Sequence, residues 1–186
     1  MLSPDEIAPE RPRPLSREQY DRMVEIGLFG EDEQLELLYG TLVEMSPQNP
    51  RHAHIIRQLG ALLSVGLRGR ALVQVQLPLA VSAVSEPEPD LAVVPLGDYR
   101  QQHPTQALLV VEVADSTLKK DRGPKARLYA EAGVPEYWLF NLADRRVELH
   151  ALPSQGAYQR IERHGPGETI RPTSFPDVDV PLDELL

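Results

Sequence analysis

The run Ala107-Leu-Leu-Val-Val-Glu-Val113 constrains this chain more than any other segment, because it is apolar and β-branched enough to demand the middle of a sheet yet carries a glutamate. A carboxylate in a buried strand costs several kcal/mol unless it is paired or holds a cation, so Glu112 needs a partner. Side chains alternate along a strand, so Glu112 points away from the face used by Val111 and Val113. A second apolar run, Asp90-Leu-Ala-Val-Val94, opens on another carboxylate. If the two strands are neighbours, Asp90 and Glu112 can converge on one Mg2+ or Mn2+, ions that prefer oxygen ligands. The alternative for Glu112 is an ion pair with an Arg or Lys on a covering helix.

The pattern around these strands predicts an α/β fold. The first 14 residues carry four prolines and no periodicity and read as a loose arm, leaving 15–186 as a single domain. Ser16 with Gln19 forms a capping-box pattern, and Tyr20, Met23, Val24 and Leu28 give a helical stripe that should end near Gly30. Residues 34–40 and 41–45 read as two strands joined at Tyr39-Gly40, with Glu36 and Glu44 on the hairpin. His52 to about Gly66 has helical spacing at Ile55, Ile56, Leu59, Leu62 and Leu63. Leu72–Val81 is a β-rich run broken at Pro78. A helix is expected from about Arg122 to Ala132, stopped by Gly133, followed by a buried strand at Glu136–Phe140. Arg146–His150 and Tyr158–Arg163 suggest a C-terminal antiparallel meander. The core order is therefore helix, three strands, helix, strand, with helices on either side of a mixed sheet.

Composition narrows the chemistry. With no cysteine, thiolate zinc sites, disulfides and a cysteine nucleophile are excluded, leaving carboxylates and imidazoles as metal ligands. No apolar run approaches the roughly 20 residues of a membrane-spanning helix, and the first residues do not read as a secretory signal, so the expected location is cytoplasmic. The formal net charge of -9 argues against gripping nucleic acid with the whole surface. Two segments could still form a basic patch or a solvated helix face: Lys119, Lys120, Arg122, Lys125 and Arg127, or Arg51, Arg57, Arg68 and Arg70. His52 opens the long helix and could contact a phosphate or a carboxylate. His54, two residues on, cannot share its helix face, which argues against a two-histidine zinc site. Ser116 and Thr117 could donate to a phosphate or simply cap a helix. Tyr137 and Trp138 alternate faces on their strand, and the tryptophan reads as core.

Taken in order, Glu36-Leu-Leu-Tyr-Gly40, Met45-Ser-Pro47, His52, Glu88-Pro-Asp90, Val111-Glu-Val113, Ser116-Thr117, Asp121-Arg-Gly-Pro-Lys125, Tyr129-Ala-Glu-Ala-Gly-Val134 and Glu136-Tyr-Trp138 resemble the Uma-two family of restriction-endonuclease-like proteins. That family falls in the PD-(D/E)xK nuclease superfamily, and the resemblance runs from about Leu35 to the C-terminus. It implies a restriction-endonuclease-like core and Mg2+- or Mn2+-dependent hydrolysis of phosphodiester bonds in nucleic acid, DNA foremost. On this resemblance Asp90, Glu112 and the carbonyl of Val113 would hold the ion, with Glu36 as an additional acid and His52 at the rim. A homodimer would place two such sites for two cuts.

One departure matters. The superfamily pattern sets a lysine two residues after the second acid, and this chain has Ala114 there. The resemblance points to Lys125, on the following helix, as the replacement, with Lys119 and Lys120 in a turn-like stretch as weaker stand-ins. Ala114 and the acidic surface keep a second reading open, a nuclease-fold module that binds nucleic acid or a partner without turnover.

Overall fold

The computed structural model describes residues 12–30 and 32–186, so most of the expected loose arm lies outside the described residues. The chain forms α1 (Arg17–Glu25), the hairpin strands β1 (Leu35–Leu38) and β2 (Thr41–Glu44), and α2 (Pro50–Leu67). Next come β3 (Leu72–Val75), β4 (Leu91–Val94) and β5 (Leu109–Ala114). A helical crossover follows, made of α3 (Leu118–Lys120), a π-helical turn (Asp121–Lys125) and α4 (Ala126–Glu131). It leads into β6 (Glu136–Asn141), β7 (Arg146–Ser154) and β8 (Ala157–His164), with β9 (Thr169–Ile170) and β10 (Val180–Pro181) pairing near the end.

The expected mixed α/β architecture is present. Six strands lie in the order β3-β4-β5-β6-β7-β8, antiparallel except for β5 and β6, which are parallel because a helix carries the chain between them. Both sheet faces are covered, which is why β5 reads as a near-continuous apolar run. Leu109, Val111 and Val113 pack with Ile55, Leu59 and Leu63 of α2 in one core, while Val110 and Ala114 pack with Tyr129 of α4 in the other. Among the described residues no helix is long and apolar enough to cross a membrane.

Several boundaries differ from the sequence expectation. The Ser16–Gln19 capping box is formed, but of the expected stripe only Tyr20 is buried, with Val24 and Leu28 more than half exposed because α1 lies on the surface of the molecule. Strand β3 stops at Val75, before the expected break at Pro78, because Gln76 takes a left-handed φ of 50°. The helical crossover starts at Leu118, four residues before the expected Arg122, and β7 and β8 extend beyond the expected meander. Tyr39 and Gly40, at φ 51° and 76°, make the expected hairpin turn.

Trp138 is fully buried, and its indole N–H donates to Glu136 Oε1 at 2.8 Å. Trp138→Ala is expected to cost about 3–5 kcal/mol, through a cavity and a buried acceptor left without its donor. Urea unfolding followed by circular dichroism would show this, and a loss under about 1 kcal/mol would mean the core collapses around the gap.

Candidate functional site

Strand pairing sets the site. β4 runs antiparallel to β5 with Leu91 opposite Val111, so Asp90, the residue before β4, lies beside Glu112 and Val113. The Val113 amide donates to Asp90 Oδ2 at 2.7 Å, and His52 Nε2 lies 3.0 Å from the same oxygen. His52 is held there by the start of α2, where Asn49 caps the helix by accepting from the His52 amide at 2.9 Å. Within a strand the N–H and C=O of one residue face the same side. The Ala114 carbonyl accepts from Leu142 on the β6 side, so the Val113 carbonyl faces the opposite side, toward Asp90.

From the other face of the sheet, Lys125 Nζ donates to Glu112 Oε1 at 2.8 Å and lies 2.9 Å from Glu36 Oε2. The Tyr129 hydroxyl donates to the same Glu112 oxygen at 2.7 Å. Lys120 Nζ donates to Glu36 Oε1 at 2.7 Å. The expected residues Glu36, His52, Asp90, Glu112, Val113 and Lys125 thus line one cavity of about 540 Å³. The ion pair anticipated as the alternative partner of Glu112 is also formed, with Lys125 as the cation.

Two placements come from the tertiary structure. Glu36, read on the hairpin and as an additional acid, has 0% exposure. Leu37 exchanges backbone hydrogen bonds with Glu86, and this docks the hairpin onto the segment leading to β4 and turns Glu36 inward. Lys120, read as lying in a turn, is helical and paired to Glu36. Nor do the two basic segments form continuous patches. Lys120 and Lys125 turn into the cavity, and Arg70 pairs with Asp177 while Arg51 donates to the Leu142 carbonyl.

Asp121 lines the same cavity and is buried. The sequence reading assigned it no role although it opens the quoted Asp121-Arg-Gly-Pro-Lys125 segment, because the expected helix started one residue later. A proline three residues on was the available signal. Pro124 has no N–H to give to the Lys120 carbonyl, so the helix widens into a π turn closed by the Ala126 amide on the Asp121 carbonyl. That turn buries both Asp121 and Lys125. Thr117 takes the helix-cap position of α3 without a side-chain cap bond.

The electrostatics are those of a site short of positive charge. Burial pushes the Glu112 carboxyl up, Lys125 pulls against it, and Asp121, Asp90 and Glu36 push it further. Burial likewise raises Asp121 against the pull of Lys125. Burial disfavours charge on Lys125, but Glu112, Glu36 and Asp121 outweigh it and hold the ammonium protonated. Burial opposes ionisation of Glu36 too, and Lys125 and Lys120 overcome it. For His52 burial is outweighed by Asp90, so its pKa lies above the ordinary value.

The donor set suits a hard divalent cation. Among the described residues, no hydrogen bond uses Asp90 Oδ1 or Glu112 Oε2, so each carboxylate keeps one oxygen for another partner. Two carboxylates and a backbone carbonyl, completed by water, match what Mg2+ or Mn2+ accepts. Among the described residues no three His, Asp or Glu side chains already surround one point, so binding would draw the two carboxylates together.

Next to this cavity, burial pushes the Glu86 carboxyl up to about 7, with Asp21 adding and Arg17 opposing. A carboxyl whose pKa is raised on folding stabilises the fold below its ordinary value and loses that contribution as pH rises through the folded value. The stability gap between the protein and Glu86→Gln is therefore expected to move against the native residue between pH 4.5 and about 7. Urea midpoints measured across that window would test it, and a constant gap would contradict it.

Comparison with known proteins bears on this geometry. Residues 17–183 match the model of the Uma2 family, described as "Putative restriction endonuclease". A "putative nuclease belonging to DUF820" from Anabaena variabilis shares the fold at a TM-score of 0.72 and 13% identity, covering 92% of this chain and 98% of that one. A chain of the DrdV–DNA complex is matched at a TM-score of 0.34 and 14% identity, over 61% of this chain and 11% of that one, a likeness too slight to describe the fold. No curated protein matches the chain.

Proposed function

The chain belongs to the Uma2 restriction-endonuclease-like family, and from that premise we propose that it hydrolyses phosphodiester bonds in nucleic acid, DNA foremost, with Mg2+ or Mn2+ as cofactor. The observation that carries this is the convergence of Asp90, Glu112 and Lys125 in one cavity, with Glu36 behind the lysine and His52 at the aspartate. Asp90, Glu112 and the Val113 carbonyl would hold the ion. When bound, it supplies Lewis acidity at the phosphate and lowers the pKa of a coordinated water.

The chain's own groups do the rest. His52 and the Val113 amide fix Asp90 Oδ2 and so leave Oδ1 for the ion. Lys125 and Tyr129 fix Glu112 Oε1 in the same way. Lys125 keeps its proton while buried, so it can hold the attacking water or donate to the charge that builds on the phosphate. Glu36 supports Lys125 from behind, limiting its motion.

The test is incubation of purified protein with plasmid, linear duplex, single-stranded DNA and RNA, with Mg2+ or Mn2+ and then with excess EDTA. Cleavage that EDTA abolishes is expected. Intact substrates in every metal, with metal binding shown by calorimetry, would favour the second reading, a module that binds without turnover. Ala114 and the engagement of Lys125 by two carboxylates favour that reading.

A further inference from the structure

Two lysines share the fully buried Glu36: Lys120 on Oε1 at 2.7 Å and Lys125 on Oε2 at 2.9 Å. They are five residues apart. In an α-helix that spacing separates side chains by about 140° around the axis, too far to close on one carboxylate. The π turn set by Pro124 makes five residues nearly one full turn and lets both ammonium groups reach Glu36. From Lys125 onward the helix is α again, and the four-residue spacing to Tyr129 brings those two side chains onto Glu112.

The two lysines are not equivalent. Lys125 has a 3% exposed side chain bound to two buried carboxylates, so its departure would strand both. Lys120 is 24% exposed and lines the cavity. If it leaves, Glu36 keeps Lys125 on Oε2, and the Glu88 amide also donates to that oxygen at 3.4 Å. The fold therefore holds one cation that is parked on a carboxylate and can be released without leaving a bare buried charge. An anion entering this electronegative cavity needs such a cation at its mouth.

We propose that Lys120 is the phosphate-binding lysine of the site: it rests on Glu36 in the free protein and moves to a non-bridging oxygen of the bound phosphodiester. This rests on the reading of the cavity as a nucleic-acid site. It assigns separate tasks to the two lysines, Lys125 staying with Glu112 and Lys120 travelling to the substrate. Lys119, its exposed neighbour, has no part in it.

The test measures binding apart from cleavage, by fluorescence anisotropy of a fluorescein-labelled DNA oligonucleotide, single- and double-stranded, with Ca2+ in place of Mg2+. Lys120→Ala is expected to raise Kd about tenfold and to reduce the salt dependence by the share of one phosphate contact, roughly 0.7–0.9 in the log–log slope. Lys120→Arg should retain most of the binding, and Lys119→Ala should leave Kd and slope unchanged. Wild-type affinity and slope in Lys120→Ala would overturn the proposal, as would a native protein that binds neither oligonucleotide. Cleavage in Mg2+ is followed in parallel. Lys120-dependent binding without cleavage would support the proposal and sink the nuclease reading. Cleavage with binding indifferent to Lys120 would do the reverse.

Discussion

Lys125→Met is expected to destabilise the fold by about 3–5 kcal/mol and to abolish cleavage, the largest combined effect of any single change in the site. The lysine is the shared cation of Glu112 and Glu36, both essentially without exposure. Without it Glu36 still has Lys120, but Glu112 is left with the Tyr129 hydroxyl alone. Burial already holds the native Glu112 carboxyl above its ordinary value, at about 8, against the pull of Lys125, and without that cation its folded pKa rises further. Stability from such a group is present at low pH and lost as pH rises through the folded value. The deficit of Lys125→Met should accordingly be smallest in acid and grow as pH rises toward and past about 8, where the native carboxyl ionises beside its lysine. Neutralising the partner as well, in Glu112→Gln with Lys125→Met, should restore part of the loss, because the uncompensated charge is gone. Urea unfolding at pH 5 and 9 on the native protein, both single variants and the double variant would decide it. A single-variant cost under about 1 kcal/mol, or strict additivity, would mean that Glu112 and Lys125 are not coupled.

Asp90→Ala is expected to reduce cleavage by about three orders of magnitude, equivalent to the several kcal/mol that a correctly held ion contributes, while the protein stays folded. The aspartate precedes β4 and accepts one backbone and one imidazole contact, so its loss costs the fold far less than the loss of Lys125. Asp90→Asn separates shape from charge. It can keep the bond from the Val113 amide, but it removes the charge that holds the His52 pKa above its ordinary value. Calorimetry with Mn2+ should show weakened binding in both variants, and the His52 ring resonance should titrate at lower pH. An Asp90→Ala protein that cleaves within tenfold of the native one would remove Asp90 from the proposed metal site.

Local pattern made part of this legible. β5 could be recognised from its apolar run because a strand buried on both faces has no polar alternation to hide it. Glu112 stood out because its cost in that run needs a partner. Asp90 stood out as the acid that opens a second apolar run and His52 as the residue that opens the long helix, while Lys125 came from the ordered family resemblance, and the structure brings all of them to one cavity. Asp121 was missed because the helix was expected to start at Arg122, one residue after it, whereas it starts at Leu118. Lys120 was underrated because its turn-like stretch is helical.

The sequence by itself determined which strands are central and that a carboxylate is buried in one of them, because burial and periodicity are properties of consecutive residues. Which cation answers Glu112, and that Glu36 is an inward acid rather than an exposed one, only the tertiary structure decided. Glu36 and Lys120 lie 84 residues apart, and their meeting depends on the Leu37–Glu86 docking of the hairpin and on a π turn, neither of which has a periodic signature. Electrostatic pairing acts through space over a few ångströms, so the partner of a buried charge is settled by how the elements pack rather than by their order along the chain.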